Sequence, residues 1–219
     1  MVIGWRRGAL TVSWFYRTFY RLAGSHASRH DQGMEKDDSS ETSDLFHPHR
    51  WFMRKALQLA RKAADAGEVP VGAVIVHENR VIGQAWNQVE MLKDATAHAE
   101  MIAITQAASA LGDWRLAETT LYVTKEPCPM CAGAIVLARI PTVVWGMTDP
   151  VRGGAISQFN ILQHEALNHR VDCITGILEE ECKEMMQGFF RKLREASRKR
   201  DLTEKLEGLE LPDSDRQRN

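Results

Sequence analysis

The sequence predicts an α/β domain with three layers, in which helices cover both faces of a mixed β-sheet. Two observations support this fold class. Segments with helical spacing of apolar residues alternate along the chain with short apolar runs typical of strands. Hydrophobic residues make up 44% of the 219 positions, which is enough for a buried core. The longest apolar run, residues 130–138, is about half the length of a membrane span, so we expect no membrane partner.

The expected elements begin near Phe46 with a helix whose apolar residues recur at helical spacing: Trp51, Met53, Ala56, Leu57, Ala60, Ala63 and Ala64. Gly67 is expected to end this helix. Residues 69–76 and 81–86 then flank a polar segment and predict a β-hairpin. The remaining expected elements are helices through 101–107 and 132–138, strands at 119–124, 142–146 and 171–177, and a closing helix from Glu179 to about Ala196.

Composition divides the chain into three regions. We expect an N-terminal extension at 1–45, a folded domain at 46–197 and a polar C-terminal tail at 198–219. Residues 1–30 contain five arginines and no acidic residue, whereas the segment that follows is polar and acidic. This break is typical of an organellar targeting segment, and a translation start at Met34 explains it equally. Both explanations remain open, and the extension is otherwise expected to be disordered.

The charge and the cysteine count limit the class of protein. A net charge of −1 excludes a broadly basic surface, so an RNA site would have to be a local patch. Four cysteines fit a reducing compartment better than a disulfide scaffold, and a cytoplasmic location is expected. Cys173 lies in a strand-like run and Cys182 on a helical apolar stripe, so both are expected to be packed thiols.

The most specific chemical pattern joins His98 and Glu100 to Cys128 and Cys131. One imidazole and two thiolates give Zn²⁺ three protein ligands and leave the fourth position open for water, as a catalytic zinc site requires. Two thiolates cancel the charge of the ion, and the neutral imidazole leaves enough Lewis acidity to bring the pKa of bound water to about 7. We therefore expect one Zn²⁺ per subunit, with Glu100 free to transfer protons.

The spacing of these residues predicts how they meet. Cys128 and Cys131 lie where a buried strand gives way to a helix, and the i, i+3 spacing places both sulfurs on one face. His98 and Glu100 are two residues apart, so on a helix their side chains point about 200° away from each other. They can therefore reach one ion only if both lie in the first turn of the helix. With Thr96 as the N-cap, both residues fall in that turn. The sequence thus predicts two helix N-termini facing each other across one zinc ion.

Two other interpretations of the same residues remain open at this point. A C-x-x-C pair between a strand and a helix is also the arrangement of a thioredoxin-like redox motif. A closed structural zinc site would instead take a fourth ligand from one of the remaining histidines and cysteines. The candidates for that ligand are His77, His164, His169, Cys173 and Cys182.

The chain resembles the bacterial tRNA adenosine deaminases, within the cytidine-deaminase-like superfamily, over about residues 46–195. The zinc motif alone is common to the superfamily. Three shorter matches point to the tRNA enzymes: Trp86-Asn87, Asn168-His169-Arg170 and Gly188-Phe189-Phe190-Arg191. The resemblance implies hydrolytic deamination of the wobble adenosine of a tRNA anticodon to inosine. Zinc-bound hydroxide would attack C6 of the purine while Glu100 shuttles protons.

The resemblance also implies partners and binding residues. Such enzymes act as homodimers on the tRNA anticodon loop, with sites that border the subunit interface. By similarity, Asn87 and Asn168 would contact the flipped nucleoside, and Asp149 a neighbouring ribose. Phe190 and Arg194 would contact the anticodon loop. The match is imperfect at Val151, where many relatives carry lysine, and whether the adjacent Arg152 replaces the phosphate contact of that lysine stays open.

Rival functions of two kinds are weighed against this one. A free-base or nucleoside deaminase, of guanine or cytosine type, would share the zinc motif. A C-x-x-C redox protein or a catalytically silent zinc scaffold belongs to a different class. The presence of Glu100 argues against the silent scaffold, because a scaffold needs no proton carrier.

Overall fold

The computed structural model describes residues 48–207 of the protein. The expected extension at 1–45 and residues 208–219 lie outside this range. The elements follow in the order α1 Pro48–Asp65, β1 Gly72–His77, β2 Arg80–Trp86, α2 Val89–Leu92, α3 Ala99–Leu111, β3 Thr119–Lys125, α4 Pro129–Leu137, β4 Thr142–Met147, a 3₁₀ turn Ile161–Gln163, β5 Asp172–Ile174 and α5 Glu179–Glu207. In the described part of the chain, no helix is both long and apolar enough to cross a membrane.

The five strands form one mixed sheet in the order β2-β1-β3-β4-β5, which confirms the predicted fold class. Strand β1 runs antiparallel to β2 and β3, whereas β3, β4 and β5 run parallel. The ends of β2, β3 and β4 therefore share one edge of the sheet with the start of β1. We call this edge the site edge, because the chain leaves it toward Asn87, Cys128 and Asp149.

Helices cover both faces of the sheet, as predicted. On one face, α3 and α4 pack on the strands through buried residues: Ala99, Ala103, Ala107, Ala132, Ile135 and Val136 with Ile75, Leu121, Val143 and Trp145. On the other face, α1 and the start of α5 pack on the alternate strand residues: Phe52, Met53, Ala56, Leu57 and Cys182 with Val74, Tyr122 and Val144. Residues of β1, β3 and β4 thus alternate between two apolar layers.

The predicted hairpin is present, with a turn at Glu78 and Asn79. Both residues have positive φ, 47° and 61°, as the tight two-residue turn of a twisted hairpin requires. Asparagine tolerates this conformation, because its short polar side chain bonds locally. The turn holds β2 beside β1 and so brings the end of β2 to the site edge.

Two element boundaries differ from the prediction. The closing helix was expected to end near Ala196 but continues to Glu207, so residues 198–207 of the expected polar tail are helical. The side chains of residues 198–205 are exposed, so the apolar periodicity that marks a helix is missing there. The strand expected at 171–177 is confined to Asp172–Ile174, because the chain turns at Gly176 with φ 82°. The domain boundaries themselves stay predictions.

Candidate active site

The three predicted zinc ligands lie at the N-termini of α3 and α4. His98 is the N-cap of α3 and Cys128 the N-cap of α4, and Cys131 is in the first turn of α4. Thr96 was expected to be the N-cap, which is wrong by two residues. Its amide and hydroxyl both donate to the Asp94 carboxylate, at 2.8 and 2.7 Å, so Thr96 belongs to a turn before the helix.

The two helix N-termini face each other, as the sequence predicted. His98 Nδ1 lies 3.6 Å from Cys128 Sγ and 3.5 Å from Cys131 Sγ, and the three ligand atoms are all within 4.8 Å of one another. In a tetrahedral site with Zn–S near 2.3 Å and Zn–N near 2.0–2.1 Å, a nitrogen and a sulfur are about 3.6 Å apart. The donor set therefore fits one zinc ion.

The cluster favours negative charge on sulfur. A hydrogen bond from Cys131 lowers the pKa of Cys128 to about 4, with a further contribution from His98. The bond with Cys128, together with burial, raises the pKa of Cys131. The same contact with Cys128 raises the pKa of His98. The thiolate is the form that binds a metal ion.

Glu100 is buried beside these ligands, in the first turn of α3. Its side chain interacts with its own backbone N–H and with the Cys131 thiol. Burial outweighs these hydrogen bonds and raises the pKa of the carboxyl. A carboxyl with a raised pKa, held next to a metal-binding cluster, is suited to carry protons near neutral pH.

None of the residues considered for a fourth ligand joins this cluster. Within residues 48–205, the metal-binding group consists of His98, Cys128 and Cys131. The other candidates have contacts elsewhere: His77 with Glu118, His164 with the Ala166 amide, His169 with the Ile140 carbonyl and Cys173 with the Val171 carbonyl. Burial raises the pKa of Cys173 to about 11 and of Cys182 to about 12, as expected for packed thiols. An open three-ligand site is thus favoured over a closed one.

Glu126, two residues before Cys128, anchors the loop that follows β4, a role that the sequence analysis missed. Its carboxylate accepts hydrogen bonds from the backbone amides of Asp149, Ile156 and Ser157, at 2.9, 3.0 and 2.9 Å, and from Ser157 Oγ at 2.6 Å. Burial alone would raise the pKa of Glu126, but these hydrogen bonds outweigh it and lower the pKa. Only the run Glu126-Pro127-Cys128 signalled this role, because the partners are far away in sequence.

The loop, residues 149–157, rests on the N-terminus of α4. The Gly154 amide donates to the Pro127 carbonyl at 2.8 Å. A Cβ on Gly154 would lie 2.3 Å from the Pro129 nitrogen and 2.5 Å from the carbonyl carbon of Cys128. Only glycine allows this approach, so the loop and the helix that carries both cysteines are held together.

Asp149 lies at the site edge but is engaged within the protein. Its Oδ2 pairs with Lys125 Nζ at 2.5 Å, and its Oδ1 accepts the amides of Val151 and Arg152, both at 3.0 Å. Burial opposes ionisation, but the bond from Lys125 and the two amides outweigh it and lower the pKa. The side chains of Val151 and Arg152 are exposed next to it. The proposed ribose contact of Asp149 stays a prediction.

Asn87 is also at the site edge, next to the segment that leads into His98. It follows β2 directly, its amide donates to the Val71 carbonyl, and the Gln88 amide donates to the Ala97 carbonyl, both at 3.0 Å. The side chain is buried and its Nδ2 donates to Glu68 Oε2 at 3.1 Å. The structure thus brings Asn87 to the same end of the domain as the ligand cluster.

Asn168 lies near the end of the sheet opposite to the site edge, where β4 and β5 begin. It precedes β5, whose first residue pairs with the start of β4. Arg139 donates to Asn168 Oδ1 at 2.5 Å, and His169 contacts the Ile140 carbonyl at 2.8 Å, so this segment borders the C-terminal end of α4. Within one chain, Asn168 is therefore separated from the ligand cluster by the length of α4, about 13 Å.

Phe190 and Arg194 lie on α5 and are both exposed. The Phe190 ring is 37% exposed and meets Phe189 edge to face, with 5.3 Å between the ring centroids. Phe190 is therefore not a fully buried core residue. A partly exposed ring beside cationic side chains is available for contact with a partner.

Comparisons with known proteins show the family to which this chain belongs. Residues 47–194 match the family model described as MafB19-like deaminase. A tRNA-specific adenosine deaminase of Bacillus subtilis (strain 168) is 50% identical over 143 residues, which cover 65% of this chain and 89% of that protein. The chain belongs to the tRNA adenosine deaminase family. Another relative of that name, from Streptococcus pyogenes serotype M18 (strain MGAS8232), is 48% identical over 66% of this chain and 91% of its own length.

Further relatives of this family member extend the comparison. A chloroplastic tRNA(adenine(34)) deaminase of Arabidopsis thaliana is 47% identical over 64% of this chain, which spans 12% of that protein. A solved tRNA:A34 deaminase, studied for A-to-I editing at the wobble position, is 43% identical with a TM-score of 0.60. It covers 62% of this chain and 98% of its own. A guanine deaminase from Nitrosomonas europaea, with 17% identity and a TM-score of 0.56, shares only the fold.

Proposed function

We propose that this protein hydrolyses the wobble adenosine of a tRNA anticodon to inosine and ammonia. The observation that carries the proposal is the His98, Cys128 and Cys131 cluster with the buried Glu100 beside it, in a chain about 50% identical to tRNA-specific adenosine deaminases. A homodimeric, cytoplasmic enzyme with one zinc ion per subunit is part of this proposal.

In the proposed reaction, His98, Cys128 and Cys131 hold the zinc ion and Glu100 moves the protons. A bound zinc ion lowers the pKa of a coordinated water toward neutrality and so supplies the nucleophile. The Glu100 carboxylate accepts a proton from the attacking water and donates it to N1 of the purine. It then transfers the second proton to the departing amine, so that adenosine and water yield inosine and ammonia. The raised pKa of Glu100 suits a group that both accepts and donates.

In this cluster His98 and Cys128 are half-buried and Cys131 is buried, and this position below the surface argues for an unstacked substrate. A base stacked in a helix does not reach a recessed reaction centre, whereas an anticodon-loop nucleotide flips out at low cost. We propose that Asn87, at the site edge, contacts the flipped nucleoside. Phe190 and Arg194 are proposed to contact the loop, because an exposed aromatic beside cations suits an unpaired base and its phosphates.

Asn168 enters this proposal only through a second subunit. It lies at the far end of α4 from its own ligand cluster, so it contacts a nucleoside only in the site of a neighbouring copy. This placement supports the homodimer with sites at the subunit interface. Asp149 is proposed to act near a ribose through a water or through its Lys125 partner, since both of its oxygens already accept hydrogen bonds.

A substrate panel tests the proposed function. The purified protein is incubated with an anticodon stem-loop that has adenosine at the wobble position, and separately with adenosine, guanine and cytosine. We expect ammonia release from the RNA alone. Activity on free guanine or cytosine without activity on the RNA would favour the small-molecule deaminase. Thiol–disulfide exchange by a zinc-free protein would favour the redox interpretation.

The RNA surface is tested by salt dependence. Changing Arg191 and Arg194 together to alanine should reduce the slope of log affinity against log salt by about 1.4–1.8, because two phosphate contacts are lost. The control changes Arg80 and Arg115 to alanine. Both are exposed at the end of the sheet opposite to the site edge, so the slope should stay unchanged. An unchanged slope in the Arg191/Arg194 variant would place the RNA elsewhere.

The Phe190→Ala variant separates stacking from packing. Loss of a ring that stacks on a base should weaken RNA binding by about 1–3 kcal/mol. The ring is 37% exposed, so the melting temperature should change little. A lower melting temperature with unchanged affinity per folded molecule would instead show that Phe190 serves the core.

A further inference from the structure

Glu68 is a buried carboxylate next to Asn87. It lies between α1 and β1 and is 1% exposed, while Asn87 is 7% exposed. One Glu68 oxygen accepts from Asn87 Nδ2 at 3.1 Å and the other from the Met91 backbone amide at 2.7 Å. Both partners belong to the segment between β2 and α3 that ends at His98. Glu68 thus holds the segment that leads to the ligand cluster.

The acceptor-only chemistry of a carboxylate determines how the Asn87 amide lies. Glu68 Oε2 accepts, so the NH₂ group of Asn87 must face it. The Asn87 Oδ1 then points away from Glu68. The main chain is fixed as well, because the Asn87 and Gln88 amides both donate to backbone carbonyls at 3.0 Å. The orientation of this amide is therefore set by its neighbour.

Holding a loop in place does not by itself explain why a charged group is buried here. Removing a carboxylate from water costs several kcal/mol, and an apolar residue of similar size would often stabilise the fold as well or better. A carboxylate does what an apolar residue does not: it accepts two hydrogen bonds and so dictates which end of the Asn87 amide faces outward.

We propose that Glu68 is a positioning residue, which orients Asn87 so that its Oδ1 accepts a hydrogen bond from the bound nucleoside. This inference rests on the proposed function, in which Asn87 contacts the substrate. Glu68 itself touches no substrate and acts through Asn87. An Asn87 amide turned the other way would offer a donor where the nucleoside presents a donor, which weakens binding of the correct substrate.

The variant Glu68→Gln tests this orientation. The Met91 N–H does not turn, so the oxygen of the new amide must stay on Met91 and its NH₂ must face Asn87. Asn87 then rotates its amide and presents Nδ2 to the nucleoside. We expect kcat/KM on the anticodon stem-loop to fall about tenfold, with zinc content unchanged. The control Glu90→Gln, at an exposed position on α2, should match the parent.

The double variant Glu68→Gln/Asn87→Asp provides the rescue. The new amide NH₂ donates to one oxygen of the new carboxylate, and the other oxygen faces the nucleoside as an acceptor. Asn87→Asp alone places two carboxylates about 3 Å apart and should lose at least tenfold. The double variant should recover to within about threefold of the parent. Even if Glu68→Gln alone does not fold, the double variant still tests the proposal, because each hydrogen-bond donor again faces an acceptor.

Parent-like kcat/KM in Glu68→Gln, or a double variant that multiplies the two losses, would overturn the proposal. A parent inactive on RNA would overturn the proposed function instead. In that case the orientation of Asn87 is measured by NMR. In the parent, the hydrogen bond to the Glu68 carboxylate shifts the signal of the Asn87 side-chain amide. That shift should vanish in Glu68→Gln, and its persistence would overturn the positioning role.

Discussion

Two buried glutamates flank the ligand cluster and differ in how their carboxyl groups are satisfied. Glu100 follows His98 by two residues and Glu126 precedes Cys128 by two. They are 4% and 3% exposed. Glu126 accepts four hydrogen bonds from the loop at 149–157, whereas Glu100 interacts with its own backbone N–H and one thiol. Consequently the pKa of Glu126 is lowered and that of Glu100 is raised.

This difference shows that the balance between burial and hydrogen-bond donors decides what a buried carboxyl does. A carboxylate surrounded by fixed N–H and O–H groups stays ionised and serves as an anchor. A carboxyl with few donors holds its proton more tightly and can exchange it with a reacting group. We therefore assign Glu126 to the architecture of the site and propose Glu100 as the proton carrier.

The largest expected effect follows Glu100→Gln. The amide keeps the shape of the side chain but carries no exchangeable carboxyl proton, so kcat should fall by at least about 10²-fold. Zinc content by elemental analysis and the melting temperature should match the parent, because Glu100 is not proposed as a ligand. Glu184→Gln, at an exposed position on α5, is the control. Loss of zinc in Glu100→Gln would make Glu100 a ligand and end the open-site proposal.

Glu126→Gln should lower the stability of the protein more than its kcat, the reverse of Glu100→Gln. The new NH₂ would face the N–H groups of the loop, and a buried donor left without an acceptor costs about 1–3 kcal/mol. For a domain of this size, the melting temperature should fall by roughly 3–10 °C. The loss of kcat per folded molecule should be smaller than in Glu100→Gln. Unchanged stability with a large loss of kcat would exchange the roles of the two glutamates.

Gly154→Ala tests whether the loop must rest on α4. A Cβ there would lie 2.3 Å from the Pro129 nitrogen, so the loop or the helix must move, at a cost of about 1–3 kcal/mol. The matched control is Gly133→Ala within α4, where a Cβ meets nothing within 4 Å. That control should stabilise the helix by about 0.5–1 kcal/mol. Equal melting temperatures for the two variants would contradict the close packing.

The smallest expected effect is on the pH dependence of stability. The pKa values of Glu126 and Asp149 are lowered in the folded protein, so the unfolded chain binds protons more readily. The stability that these two carboxylates add to the folded protein is therefore complete above about pH 4–5, the ordinary pKa range of carboxyl groups. It is lost as the pH falls through their pKa values in the folded protein. Thermal unfolding between pH 6 and 3 should show this decline, and Glu126→Gln should flatten it. The same slope in both proteins would contradict the assignment.

The sequence predicted the parts of the molecule that depend on local patterns. Apolar periodicity predicts the sheet and its two helical layers, and the spacing of His98, Cys128 and Cys131 predicts the ligand cluster. Glu68 and Glu126 were missed because their partners lie 19 to 31 residues away in the chain. The N-cap was placed at Thr96 instead of His98, since the competing turn at Asp94 is a side-chain contact that propensity does not reveal.

Sequencing of total tRNA after incubation with the protein tests the proposed function most directly, because inosine reads as guanosine at a converted position. The parent should convert adenosine at the first anticodon position and leave other adenosines unchanged, and Glu100→Gln should convert almost none in the same time. Unchanged anticodons after incubation with the zinc-loaded parent, together with deamination of free guanine or cytosine, would contradict this account.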